Sequence, residues 1–369
     1  MARIENVTAF TDLYLPTING VTYTVDLWRR YWSRRRGRMA VVYPGEDGYE
    51  PSSDEFPIRS VRAPLFSNYR LGTPTAPEDL AVPDLVHVHT PFTVGYAGRR
   101  FADRHDLPVV ASYHTVLEAR ADRVVPRPFV RGMQRATRAF ERWFFETVDC
   151  VVVPTAYARE HFFESVGADT DVRIVTNGID TDFFRPVDVG AFRSRHDLPT
   201  DRPLVGYTGR HGYEKNLGEL IDAVSGMDVT LVLAGDGPAR VDLEDRAAGA
   251  DADVRFLGFL EREDLPAFYS SIDVFGFPSP VETQGLVALE AAACETPVVA
   301  VDAGALQDSV IEGETGYRYP EGDLEAFRTA LRLSITENDR LSSLCRRRRS
   351  MFSVDHAIDQ LVTVYDELA

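Results

Sequence analysis

The sequence predicts an α/β protein built from two doubly wound parallel-sheet domains. Three observations carry that expectation. A chain of 369 residues exceeds what one ordinary core organises and suits two domains. Short apolar runs without polar alternation recur along it, as at Cys150–Val153 and Thr230–Ala234, which marks strands buried on both faces. Helical patterns separate these runs, so consecutive strands run parallel and are joined by crossovers.

Taken in order, Arg3–Phe10 reads as a first buried strand. A loop to Val21 follows, then an amphipathic helix from about Thr22. Arg38–Tyr43, Ile58–Val61, Leu85–His89, Val109–Tyr113 and Cys150–Val153 extend the first sheet. Ile174–Asp180 reads as a strand and turn, with Asn177-Gly178 as the turn signal. Pro186, Pro199 and Pro203 punctuate a linker at about 184–202. The second sheet takes Leu204–Thr208, Thr230–Ala234, Val254–Leu257, Val274–Phe277 and Pro297–Val301. Helices such as Leu217–Val224 and Leu265–Ser270 fall between them. Gly235-Asp236-Gly237-Pro238 lacks the full dinucleotide fingerprint and reads as a tight turn, and Thr315-Gly316-Tyr317 as a structural turn. Val354–Leu368 carries Ile358, Leu361, Val364 and Tyr365 at helical spacing. The expected domains are 1–185 and 186–353, with 354–369 as a closing helix. Ligands of such sheets sit beyond the carboxyl ends of the strands, which puts Gly20, His89, Thr90, His114 and Thr155 on one rim. His87, inside a strand, reads as core.

A net charge of −17 argues against a nucleic-acid partner. Acid excess with almost no lysine also matches adaptation to a high-salt cytoplasm. The charge is uneven: residues 1–150 hold 20 arginines against 18 acidic residues, a net of +2, and the remainder carries −19. Cys150, Cys294 and Cys345 read as core thiols and not as disulfides or a metal site. No secretory signal and no run of 18 apolar residues stands out, so the expectation is a cytoplasmic protein, with peripheral membrane attachment left open. Two basic stretches bear on that. One is Trp28–Arg38. The other runs Arg120, Arg123, Arg127, Arg131, Arg135, Arg138 and Arg142 in steps of three and four, ending in Trp143-Phe144-Phe145. A basic helix with aromatics suits a membrane surface; the plainer alternative is a solvated arginine face holding nearby acids.

Lys215 is the single lysine of the chain, five residues after Arg210 in a Gly-rich strand–turn–helix segment. Arginine offers a planar fork and lysine a compact charge, and a diphosphate uses both. The alternative is an ordinary surface lysine. Glu282-Thr283-Gln284-Gly285-Leu286 opens a helix after a strand, with Glu290 eight residues beyond Glu282. Unpaired amides from Thr283 to Leu286 suit an anion, and carboxylates accept from sugar hydroxyls. Each glutamate alone would read as a helix-start or surface acid.

Arg210…Lys215 followed by Glu282 and Glu290 resembles the donor site of the retaining family 4 glycosyltransferases, which have the GT-B fold: two Rossmann-like domains facing a cleft. His89-Thr90-Pro91-Phe92-Thr93-Val94-Gly95 and Ser112-Tyr113-His114-Thr115 look most like the diacylglycerol glucosyltransferase branch. The resemblance implies a hexosyltransferase that moves a sugar, glucose by preference, from UDP-glucose to a membrane lipid. In it Arg210 and Lys215 neutralise the leaving diphosphate and Glu282 holds sugar hydroxyls. Glu290 holds the ribose, and His114 orients sugar and acceptor. Gly20 and Asn19 face the diphosphate, and the backbone up to Leu260 reads the base. No Asp-x-Asp or His/Cys spacing stands near these residues, so no metal is expected, and no protein nucleophile is evident; the resemblance implies a final helix that crosses back onto the first domain. The readings left open are a polyisoprenoid-linked or soluble glycan acceptor, a sugar-nucleotide epimerase, and a non-catalytic membrane-attached sensor.

Overall fold

The computed structural model describes residues 3–62, 70–114 and 129–369. The chain forms two compact units, Met1–Gly178 with Val354–Ala369, and Ile179–Ser353. The first holds strands β1 (Asn6–Phe10), β2 (Arg38–Pro44), β3 (Glu55–Ile58), β4 (Ser60–Arg62), β5 (Arg70–Gly72), β6 (Leu85–Val88), β7 (Val109–Ser112), β8 (Cys150–Val153) and β9 (Asp171–Ile174). Seven of these make a parallel sheet in the order β3-β2-β1-β6-β7-β8-β9, while β4 and β5 pair as a separate antiparallel ribbon. The second unit holds β10 (Leu204–Thr208), β11 (Thr230–Ala234), β12 (Asp253–Gly258), β13 (Val274–Phe277), β14 (Val298–Val301) and β15 (Gly316–Tyr319). Its parallel sheet has the order β12-β11-β10-β13-β14-β15. Both orders reverse direction once, beside the first strand, and that reversal is where doubly wound sheets take ligands.

Central strands fall where the apolar runs stood, because strands covered on both faces must be apolar throughout. Edge strands depart from expectation. The third strand is Glu55–Ile58, since Val61 leaves the sheet for the β4–β5 ribbon. The last strand of the first sheet is Asp171–Ile174, ending where Ile174–Asp180 was expected to begin. Thr315-Gly316-Tyr317, expected as a turn, runs into the edge strand β15, Gly316–Tyr319.

The boundary falls after Gly178 and not after residue 185, and 184–202 is no free linker. Phe184, Phe192 and Leu198 are buried in the second unit's core, and the helix Gly190–Arg195 is held by Arg195–Asp264 at 3.0 Å. The C-terminal helix Val354–Glu367 belongs to the first unit. Its Ile358, Leu361, Val364 and Tyr365 share a core with Trp28 and Trp32 of the helix Gly20–Arg35. Arg35 reaches Asp355 at 3.1 Å and Asp359 at 2.7 Å across the same contact. Among the described residues no helix is long and apolar enough to cross a membrane.

Candidate active site

In the second unit, β10 runs into Gly209, whose φ of +140° suits a residue without a Cβ. One 3-10 turn, Tyr213–Lys215, and Asn216 then lead into the helix Leu217–Val224. Strand β13 leads to the loop ending at Gly285 (φ +75°), where a side chain would meet Leu306 and Phe277. These two loops flank the reversal between β10 and β13. Across it Lys215 Nζ is ion-paired with Glu282, and Ser279 Oγ donates to the same carboxylate oxygen at 2.8 Å. Arg210, half exposed, is paired with Glu214. Each cation thus has a carboxylate partner within its own unit. An ammonium carries three donors and a guanidinium five, so one carboxylate leaves donors for a further anion.

Glu282 lies in the loop, and Glu290 lies on the second turn of the helix Leu286–Ala293. Glu290 is buried and accepts from Tyr269 OH at 2.7 Å. Burial pushes its carboxyl up to about 7, against the lowering pull of Tyr269 and Arg262. Thr283 and Gln284 precede the helix, and Gly285 caps it, so the first-turn amides belong to Leu286 and Val287. The backbone carbonyl of buried Gln284 accepts from Ser309 Oγ. Leu260 follows the edge strand β12 and buries its side chain in the core. Gly235 and Gly237 do more than turn the chain. A Cβ on either would strike the Gly209 or His211 carbonyl, and His211 N donates to Asp236 O at 2.8 Å. They brace the loop that carries Arg210.

The first unit builds its rim differently. Asn19 caps the helix Gly20–Arg35, accepting from Thr22 N at 3.0 Å, and Gly20 is that helix's first residue. Asp12, which no sequence signal singled out, ties the loop after β1 to the loop after β6. Its buried carboxylate accepts from Thr90 Oγ1 at 2.7 Å, Thr93 Oγ1 at 2.9 Å and Val94 N at 3.0 Å. Thr155 caps the helix Ala156–His161, accepting from Ala158 N at 3.1 Å. His114 follows β7, and its Nε2 lies 3.0 Å from His89 Nδ1. The His87, His89 and His114 rings pack in series, and Trp28 lies against all three at 5.7 to 6.2 Å between centroids. His87 is core as expected, bonded to Ser112 Oγ at 2.7 Å and to Tyr365 OH. Burial lowers the His114 ring to about 4 and holds His87 and His89 well below the ordinary 6.5.

Of the arginine stripe, Arg120, Arg123 and Arg127 lie outside the described residues. Arg131, Arg135, Arg138 and Arg142 are exposed on the helix Val130–Phe145. The exposed Phe129, Met133, Phe140 and Trp143 form a second line, roughly 155° round that helix at about 100° per residue. Phe140 and Trp143 meet exposed Phe92 and Tyr96 at 6.4 and 6.2 Å between centroids. The arginines and aromatics are therefore two flanks of one exposed helix, and not one stripe ending in aromatics. Among the described residues no group of three acidic, histidine or cysteine side chains is placed to hold a metal ion.

A family model described as Glycosyltransferase Family 4 matches residues 18–183, and one described as Glycosyl transferases group 1 matches residues 188–350. A GDP-mannose-dependent alpha-mannosyltransferase of Mycobacterium tuberculosis is 30% identical over 334 residues, covering 86% of this chain and 85% of that protein. The chain is a family 4 glycosyltransferase. A sulfoquinovosyl transferase of Arabidopsis thaliana is 30% identical over 76% of the chain, which spans 56% of that longer protein. The GT-B fold of this glycosyltransferase is shared with sucrose-phosphate synthase from Thermosynechococcus elongatus, with a TM-score of 0.77, 22% identity and 99% of each chain covered. It is also shared with Anabaena HepE in complex with UDP and glucose, with a TM-score of 0.74, 19% identity and 99% and 100% covered.

Proposed function

We propose that this glycosyltransferase moves a hexosyl group, with retention, from a nucleotide-diphosphate sugar to a membrane lipid, with UDP-glucose as donor. The observation that carries the donor half is the Lys215–Glu282 pair across the reversal of the second sheet. Lys215 and Arg210 meet the negative charge that grows on the departing diphosphate, where a fixed cation contributes most. Glu282, already held by Lys215 and Ser279, accepts from sugar hydroxyls without first having to be ordered. Glu290 accepts from the ribose. His114 orients the sugar and acceptor. A donor phosphate oxygen takes the acceptor proton on the same face, so no protein nucleophile and no metal enter.

The acceptor half rests on the exposed helix with arginines on one flank and aromatics on the other. Aromatics settle at the boundary of headgroups and acyl chains, and each arginine near an anionic surface adds about 1 kcal/mol. The Arabidopsis relative named as a sulfoquinovosyl transferase and the phosphatidylinositol dimannoside mannosyltransferase of Mycobacterium tuberculosis, 32% identical, support a lipid acceptor. The mannosyltransferase relatives favour a second donor, GDP-mannose.

The test is release of nucleoside diphosphate from UDP-glucose and from GDP-mannose, with and without lipid extract, with chelator present. Lipid-dependent release of UDP with a new glycolipid is the expected result. Release from GDP-mannose alone would replace the donor, and release that ignores lipid would remove the lipid acceptor.

A further inference from the structure

His89 has no part in the reading above, yet its ring bonds and stacks on that of His114. Its Nδ1 lies 3.0 Å from His114 Nε2, with the two planes 8° apart. Its other face stacks on His87 at 4.1 Å between centroids, and Trp28 closes the side. His87 is itself fixed by Ser112 and Tyr365. His89 is 2% exposed, and its Nε2 is buried with no hydrogen-bond partner among the described residues.

That orphaned nitrogen decides where the protons sit. A neutral imidazole has one N–H donor and one acceptor nitrogen. A buried N–H without an acceptor is rarer than an acceptor left unfilled. The His89 proton therefore belongs on Nδ1, where it has His114 Nε2 to receive it, and Nε2 keeps a lone pair. His114 Nε2, as acceptor, carries no proton, so neutral His114 carries its own on Nδ1. Burial keeps both rings neutral through the ordinary assay range.

We infer that His89 is a positioning residue that locks His114 in its Nδ1–H tautomer and so fixes the ring that the proposed function places at the sugar and acceptor. The inference rests on the reading of His114 as a group that faces the sugar and acceptor. It gives the ring ladder from Tyr365 through His87 a task beyond packing: it sets the plane of His89, and His89 sets the proton of His114.

The decisive measurement is a two-bond nitrogen–proton NMR correlation on the full chain with nitrogen-15 histidine. His114 is expected to show a protonated Nδ1 and an acceptor-type Nε2. An Nε2–H tautomer in the wild-type chain overturns the inference. Two variants add a catalytic readout. His89→Asn keeps an N–H near the Nδ1 position, whereas His89→Gln reaches toward the Nε2 position. His89→Asn is expected to hold kcat within about threefold, and His89→Gln to lose about tenfold in kcat with donor KM unchanged, the scale of one hydrogen bond. Equal kcat in the two folded variants overturns it. His114→Ala separates the readings: if transfer survives that change, the role of His114 falls, and the tautomer measurement still decides the case of His89.

Discussion

The two units share a sheet topology and a reversal point, but furnish their rims with opposite chemistry. The first unit's rim is built on uncharged rings: His89 and His114, backed by core His87, lie at tilted angles against the Trp28 indole, beside one buried Asp12 carboxyl tied down by hydroxyls and amides. The second unit's rim is ionic, with Lys215–Glu282 and Arg210–Glu214 on adjoining loops. A fold supplies positions at strand ends, and the side chains placed there decide what those positions do. The neutral rim is woven into its core, whereas the ionic rim is partly solvated and detachable from folding. Damage to the core side of the first, at Trp28 or Tyr365, should register as lost stability, and damage to the second as lost turnover with stability kept.

The largest effect on that view is Trp28→Ala. It removes a buried indole that packs on three histidines and donates to Asn177 O at 2.7 Å, and is expected to cost about 3–5 kcal/mol in thermal or denaturant unfolding. Lys215→Ala comes next, with turnover expected to fall by about 10²–10³ while the melting temperature barely moves. If Lys215→Ala transfers sugar normally, the donor-site assignment is wrong.

A smaller effect separates the rims by pH. The folded histidines sit below their unfolded value of 6.5, so their contribution to stability is present above 6.5 and is lost as pH falls toward about 4. Glu290 sits above its unfolded value, so its contribution is present at low pH and is lost as pH rises through about 7. With Glu290 in its proposed place at the ribose, donor binding is expected to run the other way, because the carboxylate accepts from both hydroxyls. Affinity for UDP should rise between pH 6 and 8 in calorimetric titration, and Glu290→Gln should flatten that slope. The smallest effect is Tyr365→Phe, expected to cost about 1 kcal/mol through its bond to His87, with no change in donor affinity.

Most of the fold was legible because strands covered on both faces cannot hide: Leu204–Thr208, Thr230–Ala234 and Val274–Phe277 fall where their apolar runs stand. The edge strands were misplaced because one face meets solvent, and Asp171-Val172-Arg173-Ile174 has little apolar signal. At the candidate site, the sequence put Arg210, Lys215, Glu282 and Glu290 forward as a set, and the fold brings Lys215 and Glu282 together. Their partners were not. Tyr269 lies 21 residues from Glu290 and Ser279 reaches back to the carbonyl of Glu214 over 65 residues; such pairings are made by the sheet and leave no periodicity. Glu214, one residue before Lys215, had no pattern to mark it as the Arg210 partner.

The return of Val354–Glu367 to the first unit has a consequence for how the protein is made. On the ribosome, Trp28 and Trp32 are synthesised early, but the helix that covers them emerges only after the whole second unit. The second unit is contiguous in sequence and can close while the first still lacks a wall. The growing chain therefore carries an open aromatic face while the second unit is being made, a natural station for a chaperone. An isolated fragment of residues 1–178 should aggregate where residues 179–353 remain in solution, and supplying the missing helix in trans should rescue it.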